Sequence, residues 1–144
     1  MSTVEEVAMT HMVVRHEEGD RFQVSIRGHR FVIDQPVEDG GTDAGPTPTE
    51  LFVAGLASCV GFYAGRFLRR HGLRVEGLRV DCTYVFAEDR PARVASITLA
   101  VHAPGLPASN REAFLAVIDH CTVHNSMRMT PDVRIEVGPS ELAA

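Results

Sequence analysis

The sequence contains no lysine, so arginine supplies all 14 of its basic residues. They are outnumbered by 19 acidic residues, which gives a net charge of −5, and the arginines form no basic run. Nucleic acids and anionic membrane surfaces attract clustered positive charge, and we therefore expect neither as a partner.

Signals for export or membrane insertion are also lacking. The N-terminal stretch MSTVEEVAMTHMVV has two glutamates where a secretory signal would have positive charge followed by a long apolar run. We find no apolar segment of the roughly 18–20 residues that a membrane span needs. These features predict a cytoplasmic protein.

Cysteine is scarce, with only Cys59, Cys82 and Cys121 present. Three dispersed cysteines are too few for a secreted disulfide framework, and no Cys-x-x-Cys pair suggests a zinc ribbon or a thioredoxin-type site. Each cysteine is therefore either a small buried apolar residue or a reactive group. Hydrophobic content of 44% and charged content of 23% are ordinary for a globular chain, and we predict one domain over residues 1–144.

Two regions have the alternation of β-strands. Apolar runs on both sides of residues 18–20, with a third run at 30–34, predict a hairpin or three-stranded meander. Residues 75–88 and 92–104 predict an antiparallel pair, and VRIEV at 133–137 predicts a last strand.

Two helices are predicted between these strands, giving an α+β fold. The glycine- and proline-rich stretch QPVEDGGTDAGPTP is read as an ordered functional loop. Thr47, Pro48 and Glu50 then predict a helix start with a capping box, and Gly72 predicts its end near residue 71. A second helix is expected over 109–120, followed by a connecting segment to the last strand.

The long helix has two faces that need cover. Small side chains recur along one stripe, at Ala54, Ser58, Gly61 and Gly65. A hydrophobic face lies beside it, at Leu56, Val60, Tyr63 and Phe67. Interior glycines cost a helix about 1 kcal/mol each, so such a stripe indicates close approach of another segment. One sheet and one short helix do not cover both faces, and we expect a homodimer that buries this helix centrally.

Glu50 and Cys59 share this helix, yet nine positions separate them. At 100° per residue they face opposite sides, so a straight helix keeps them apart. Either the helix bends, or a carboxylate reaching Cys59 comes from elsewhere. Cys59 also lies about three turns from the helix N-terminus, beyond the reach of its dipole, and its activation needs an arginine or hydrogen-bond donors.

Cys121 follows the second helix among polar residues, whereas Cys82 has a strand position that indicates packing. His120 and His124 raise two hypotheses: a metal site with Cys59 and Cys121, or His124 as a base that activates Cys121. The sequence offers only a Cys-x-x-His fragment, far from the spacing of structural zinc sites.

Two motifs together resemble the OsmC/Ohr family, which includes osmotically induced and organic hydroperoxide resistance proteins. One is the loop and helix start GGTDAGPTPTEL, at residues 40–51, followed by Ala57-Ser58-Cys59. The other is CTVHNSM, at residues 121–127. The resemblance covers essentially the whole chain and is closest to the broad OsmC-like branch.

The resemblance implies antiparallel sheets packed around a long central helix in an intertwined homodimer. It also implies reduction of organic hydroperoxides by a reactive Cys59 and a resolving Cys121, without metal or organic cofactor. An external dithiol, such as a lipoylated protein, would restore both thiols. Family members use a glutamate and an arginine at the reactive thiol. The candidates here are Glu50 and Arg21, with Arg15 as the alternative arginine. Apolar residues suited to a hydrophobic peroxide are Leu51, Phe52, Leu56 and Phe62.

Two other functions stay open at this stage. One is a non-enzymatic protein that binds a small apolar ligand at the dimer interface. The other is different thiol chemistry at Cys59, such as thiol–disulfide exchange or hydrolysis.

Overall fold

Five strands and three α-helices follow one another along residues 11–140, the part of the chain that the computed structural model describes. In chain order they are β1 (Met12–Glu18), β2 (Arg21–Ile26), β3 (His29–Ile33), α1 (Pro48–Arg70), β4 (Arg79–Phe86), β5 (Val94–His102), α2 (Arg111–Asp119) and α3 (Thr122–Arg128). Single 3-10 turns lie at Val37–Asp39 and Ala108–Asn110. Most of the N-terminal stretch inspected for an export signal falls outside the described residues.

The chain divides into two compact units. Among the described residues, the first comprises 11–54 together with Val85–Ser96, and the second comprises Gly55–Tyr84 together with 97–140. The single domain expected over residues 1–144 stays a prediction.

The first unit contains a three-stranded antiparallel sheet in the order β1-β2-β3, as the meander prediction required. Arg27 and Gly28 both have positive φ, 50° and 90°, at the tight turn between β2 and β3. This backbone conformation matches the twist of a hairpin and explains why glycine occupies the second position. Gly19, with φ of 54°, makes the turn between β1 and β2.

The second unit is built on one face of α1. The spacing of Leu56, Val60, Ala64, Phe67 and Leu68 is helical, and these side chains are buried with residues from α2 and the segment after it, namely Phe114, Ile118 and Cys121. Strands β4 and β5 form a two-stranded sheet whose inward residues, among them Val80, Ile97, Leu99 and Val101, pack on this cluster together with Leu78 from the turn before β4. Burying each large apolar side chain contributes about 1.5–3 kcal/mol. The α+β prediction is thereby confirmed.

Both ends of α1 follow the sequence signals. The backbone N–H of Glu50 donates to Thr47 Oγ1 at 3.1 Å, and Glu50 Oε1 accepts from the backbone N–H of Thr47 at 2.9 Å. This reciprocal pair is a capping box. At the other end Gly72 has φ of 65°, and its N–H donates to the Arg69 carbonyl while that of Leu73 donates to the Leu68 carbonyl, which is a Schellman motif.

The expectation that no apolar segment is long enough to span a membrane is wrong for α1. Helix α1 is long enough to cross a membrane and contains an 18-residue window of mean hydropathy 1.6. Its apolarity has a different explanation, because the buried residues from Leu56 to Leu68 form the core of the second unit.

Side chains of β4 and of the turn before it meet two of the small residues on α1. A Cβ at Gly61 would be 3.7 Å from Val80 Cγ2, and one at Gly65 would be 3.6 Å from Leu78 Cδ2. Both are ordinary van der Waals distances, so no backbone approaches these glycines closely. Ala54 and Ser58 of the same stripe are exposed, and the expected homodimer stays a proposal.

The C-terminal region differs from the prediction in two places. Residues 133–137 form no strand, and Val133, Ile135 and Val137 are 73%, 88% and 95% exposed. Their alternation is suited to a sheet, but within residues 11–140 no strand pairs with them. In addition, α3 occupies part of the predicted connecting segment; its seven residues are too few and too polar to show helical periodicity. Helix α2 lies within the predicted 109–120.

Replacement of Gly61 by alanine should stabilise the protein. The added methyl group fits beside Val80, and alanine favours a helix interior, so we expect the free energy of unfolding to rise by about 0.5–1 kcal/mol in urea titrations. Gly105→Ala is the matched control and should be destabilising, because its Cβ would overlap the Arg74 carbonyl. A loss of stability in Gly61→Ala would mean that another segment fills this space.

Candidate functional site

Cys59 and Cys121 meet inside the second unit. Cys59 lies on α1, is partly buried and packs against the core cluster to which Cys121 belongs. Cys121 is 0% exposed and occupies the N-cap position of α3. Cys59 is one of the groups that act on the Cys121 thiol, and both cysteines are free thiols. The fold thus brings together two of the residues that were predicted from the sequence as site residues.

The surroundings of Cys121 favour its protonated form. Burial raises the pKa of the Cys121 thiol, and the neighbouring Cys59 side chain raises it further. The backbone N–H of His124, which donates to Cys121 Sγ at 3.4 Å, opposes this rise in pKa. Cys121 therefore keeps its proton more readily than an exposed thiol does.

An aromatic and a basic side chain of α1 lie on the same side of the helix as Cys59. Tyr63 and Arg66 lie four and seven positions after Cys59, which places all three on one side of the helix. The Tyr63 hydroxyl is 2.8 Å from Thr122 Oγ1. The Arg66 guanidinium lies 4.6 Å from the centre of the Tyr63 ring and 5.4 Å from that of Phe62. Arg66 was missed in the sequence, although its spacing from Cys59 is a detectable signal.

Asp119 fixes the start of α3 to the end of α2. Its carboxylate accepts from Arg128 Nη2 at 2.9 Å, and its carbonyl oxygen lies 2.9 Å from His124 Nδ1. The hydrogen bond from Arg128 is the main reason why the pKa of Asp119 is lowered, and charge on Arg128, His124 and His120 acts in the same direction. The His124 ring thus contacts Asp119, whereas the backbone N–H of the same histidine donates to Cys121 Sγ.

In the first unit, the glycine-rich loop is organised by Asp34, at the end of β3. Its carboxylate accepts four hydrogen bonds, from the backbone N–H groups of Gln35, Thr42 and Ala44 and from the Thr42 hydroxyl. The Thr42 hydroxyl and the Ala44 N–H contribute most to lowering the pKa of Asp34 to about 2. Sequence inspection missed this residue; the available signal was a single carboxylate between an apolar strand and the loop.

The glycines of this loop permit its close return to β3. A Cβ at Gly41 would overlap the Gln35 carbonyl and lie 2.8 Å from Asp34 Oδ1, and one at Gly45 would overlap the Val32 carbonyl. Gly40 has φ of 96°, which only glycine adopts without strain. The loop is therefore an ordered segment in this structure, as predicted.

Residues 40–136, which include the loop and both cysteines, match the family model of OsmC-like proteins. The chain belongs to the OsmC-like family. No curated protein sequence matches it.

Solved structures share the fold of this OsmC-like protein. One is an osmotic stress induced and detoxification response protein, as it is described, from Psychrobacter arcticus 273-4, with TM-score 0.75 and 25% identity over 85% of this chain and 91% of that chain. Another is the organic hydroperoxide resistance protein OsmC of Legionella pneumophila, with TM-score 0.65 and 19% identity over 86% and 92%. A third is the organic hydroperoxide resistance protein OhrB of Bacillus subtilis, with TM-score 0.61 and 18% identity over 90% and 98%. These TM-scores establish a common fold, and sequence identities this low establish nothing beyond it.

Glu50 and Arg21 of the OsmC-like chain, both in the first unit, have separate partners. Glu50 is exposed and makes the capping box of α1. Arg21 pairs with Glu17 at 3.2 Å and Glu18 at 3.4 Å within the first hairpin. The catalytic roles that the resemblance implies for Glu50 and Arg21 stay predictions.

The four apolar candidates have different environments. Leu51 is partly buried, and Phe52 is 51% exposed beside Phe86 in a shallow pocket of the first unit. In the second unit, Phe62 is 56% exposed, whereas Leu56 is 5% exposed and belongs to the core cluster. Phe62 is thus accessible to a ligand, and Leu56 is not.

The metal hypothesis gains no support from the described part of the chain. Between residues 11 and 140, no three side chains of His, Cys, Asp or Glu converge on a position that could hold an ion. Cys82, on β4, is partly buried, and burial raises the pKa of its thiol.

Asp34→Asn should remove part of the pH dependence of stability. Because the folded pKa of Asp34 is about 2 and its ordinary value is 3.8, its contribution is complete above pH 3.8 and is lost as the pH falls toward 2. We expect Asp34→Asn to be less stable than wild type at neutral pH, with a smaller further loss between about pH 5 and pH 2 in urea titrations.

Asp43→Asn is the control, since it changes a carboxylate of the same loop and leaves the Asp34 hydrogen bonds in place. It should follow the wild-type pH profile. An unchanged profile in Asp34→Asn would contradict the anchoring role of Asp34.

Proposed function

We propose that this OsmC-like protein is a thiol-dependent peroxidase that reduces organic hydroperoxides through Cys59 and Cys121. The observation that supports it most directly is the position of Cys59, which is partly buried and packs against the core cluster that contains the fully buried Cys121. Two cysteines from distant parts of the chain thus lie in one cluster, as a reactive and a resolving thiol would need. Relatives of the same fold include proteins described as organic hydroperoxide resistance proteins.

In the first step, the Cys59 thiolate attacks the distal oxygen of the hydroperoxide. The O–O bond breaks, Cys59 becomes a sulfenic acid, and the alkoxide takes a proton to leave as an alcohol. The sulfur loses two electrons and the peroxide gains them. Cys59 suits this role because it is the less buried of the two thiols.

In the second step, the Cys121 sulfur attacks the sulfenic acid. A Cys59–Cys121 disulfide forms and water leaves, which protects Cys59 from further oxidation. Complete burial keeps Cys121 away from solvent oxidants while it waits for this reaction. An external dithiol then reduces the disulfide by two successive exchanges and becomes a disulfide itself.

This cycle requires neither a metal nor a bound organic cofactor. Lipoylated protein is a reductant of the required chemistry, and an organic hydroperoxide is the substrate. A cytoplasmic location supplies reducing conditions in which both thiols are regenerated.

Several features expected from the family remain part of the proposal. A homodimer would cover the exposed residues of the α1 stripe, Ala54 and Ser58. Glu50 and Arg21 are proposed to assist Cys59 in addition to their contacts within the first unit. Phe62, exposed three positions after Cys59, offers an apolar surface for the organic group of the substrate.

One observation favours a second function, the non-enzymatic binding of a small apolar ligand. The second unit contains a groove of about 500 Å³ between β5 and α2. It is lined by Arg111 and by apolar residues, among them Leu99, Val101, Ala103, Leu106, Phe114, Leu115 and Ile118. A ligand held there would bind equally well to Cys59→Ser. The peroxidase proposal makes no use of this groove.

The peroxidase proposal predicts different defects for the two cysteines. Cys59→Ser should reduce hydroperoxide turnover to the uncatalysed background, because the nucleophile is lost. Cys121→Ser should consume at most one equivalent before Cys59 is overoxidised to sulfinic acid, since no thiol closes the disulfide. Both are measured as alkyl hydroperoxide consumption with excess dithiol, together with the mass of the cysteine peptides.

Cys82→Ala is the matched control and should keep the wild-type rate, because Cys82 lies on β4 and takes no part in the cycle. Full turnover by Cys59→Ser would exclude the mechanism. Sustained turnover by Cys121→Ser would exclude Cys121 as the resolving thiol.

A further inference from the structure

A hydrogen bond joins α1 to α3 directly beside the two cysteines. Tyr63 is one turn beyond Cys59 on α1, and Thr122 is the residue after Cys121. Their hydroxyl oxygens are 2.8 Å apart. A contact between the neighbours of both cysteines has a direct influence on how the two sulfurs are placed.

Helix α3 has little apolar burial of its own to hold it. It has seven residues, Thr122–Arg128, and none of them is fully buried; Val123 and Met127 are partly buried against the core. Asp119 ties α3 to the end of α2 through Arg128 and His124. The register of α3 on α1 therefore depends on the cysteine contact and on the hydroxyl pair.

Tyr63 is itself held in place by its neighbours on α1. The Arg66 guanidinium lies over its ring at 4.6 Å, and the Phe62 ring meets it edge-on with centroids 5.5 Å apart. Cation–π and edge-to-face contacts of this kind fix the orientation of a ring. The Tyr63 hydroxyl is thus directed at Thr122 before any reaction occurs.

We propose that Tyr63 is a positioning residue that acts through Thr122 to hold the Cys121 sulfur against Cys59 for disulfide closure. The inference rests on the proposed function in that closure of this disulfide is the second step of the cycle. It assigns Tyr63 no contact with the hydroperoxide. Loss of the hydroxyl slows closure and leaves the first reaction of Cys59 unchanged.

Closure can be measured without any peroxide by means of Ellman's reagent, an aromatic disulfide. The Cys59 thiolate takes one thionitrobenzoate group and releases one thionitrobenzoate ion. The Cys121 thiolate then attacks the Cys59 sulfur, forms the Cys59–Cys121 disulfide and releases the second ion. Each step exchanges one S–S bond for another, and two phases of absorbance report the reactivity of Cys59 and the closure separately. All variants are made in a Cys82→Ala background so that Cys82 does not react.

Tyr63→Phe keeps the ring and removes the hydroxyl. We expect the second phase to slow by about three- to tenfold, the range for one partly exposed hydrogen bond, with an unchanged first phase. Thr122→Val should have the same effect, Thr122→Ser should restore the rate, and the double variant should be no slower than either single variant. Ser126→Ala is the matched control, since it removes a 2.9 Å hydrogen bond to the Thr122 carbonyl within α3, and should close at the wild-type rate.

The possible outcomes separate this inference from the proposed function. An unchanged second phase in Tyr63→Phe, additive effects in the double variant, or failure of Thr122→Ser to rescue would overturn the positioning role. Release of only one ion by the parent protein would do the same, because Cys121 would then not reach Cys59. If closure follows the expected pattern but an alkyl hydroperoxide leaves Cys59 unoxidised, the peroxidase proposal fails and the positioning role stands.

Discussion

The proximity of Cys59 to Cys121 in the core of the second unit is the feature on which the proposed chemistry depends. It lies at the edge of an apolar core, where Cys121 is fully enclosed and Cys59 only partly so. Enclosure disfavours charge on Cys121 and so raises the pKa of its thiol. The difference in burial suits the different roles proposed for two chemically identical groups. In the proposed cycle, the nucleophile is the more accessible thiol and the resolving thiol is the protected one.

Two carboxylates stabilise the segments that flank the core elements. Asp34 collects three backbone N–H groups and a hydroxyl of the glycine-rich loop that precedes α1. Asp119 connects α2 to the short helix that begins after Cys121. In both cases a segment with little apolar burial is held by charge-assisted hydrogen bonds to a carboxylate. Segments of this kind are ordered by specific contacts, which makes them sensitive to single substitutions.

Local signals predicted much of this fold. The capping box at Thr47 and Glu50 and the glycine after α1 are short-range patterns, and strand alternation revealed the meander. Contacts between distant residues, such as Tyr63 with Thr122 or Asp34 with its loop, leave no such periodic trace. The prediction of a strand at 133–137 was wrong for a related reason, since alternation indicates a strand but does not supply the neighbour with which it pairs. Cys59 and Cys121 were each candidates from the sequence, but their pairing was expected only from the family resemblance, because their spacing in sequence does not reveal their proximity.

The most direct test is to identify which cysteines are oxidised by one equivalent of an organic hydroperoxide. Fully reduced protein is exposed for a few seconds, quenched by alkylation and mapped by peptide mass spectrometry. A Cys59–Cys121 disulfide, with Cys82 still a thiol, is the predicted result. Three alkylated thiols would contradict the account and make Cys59 a core residue.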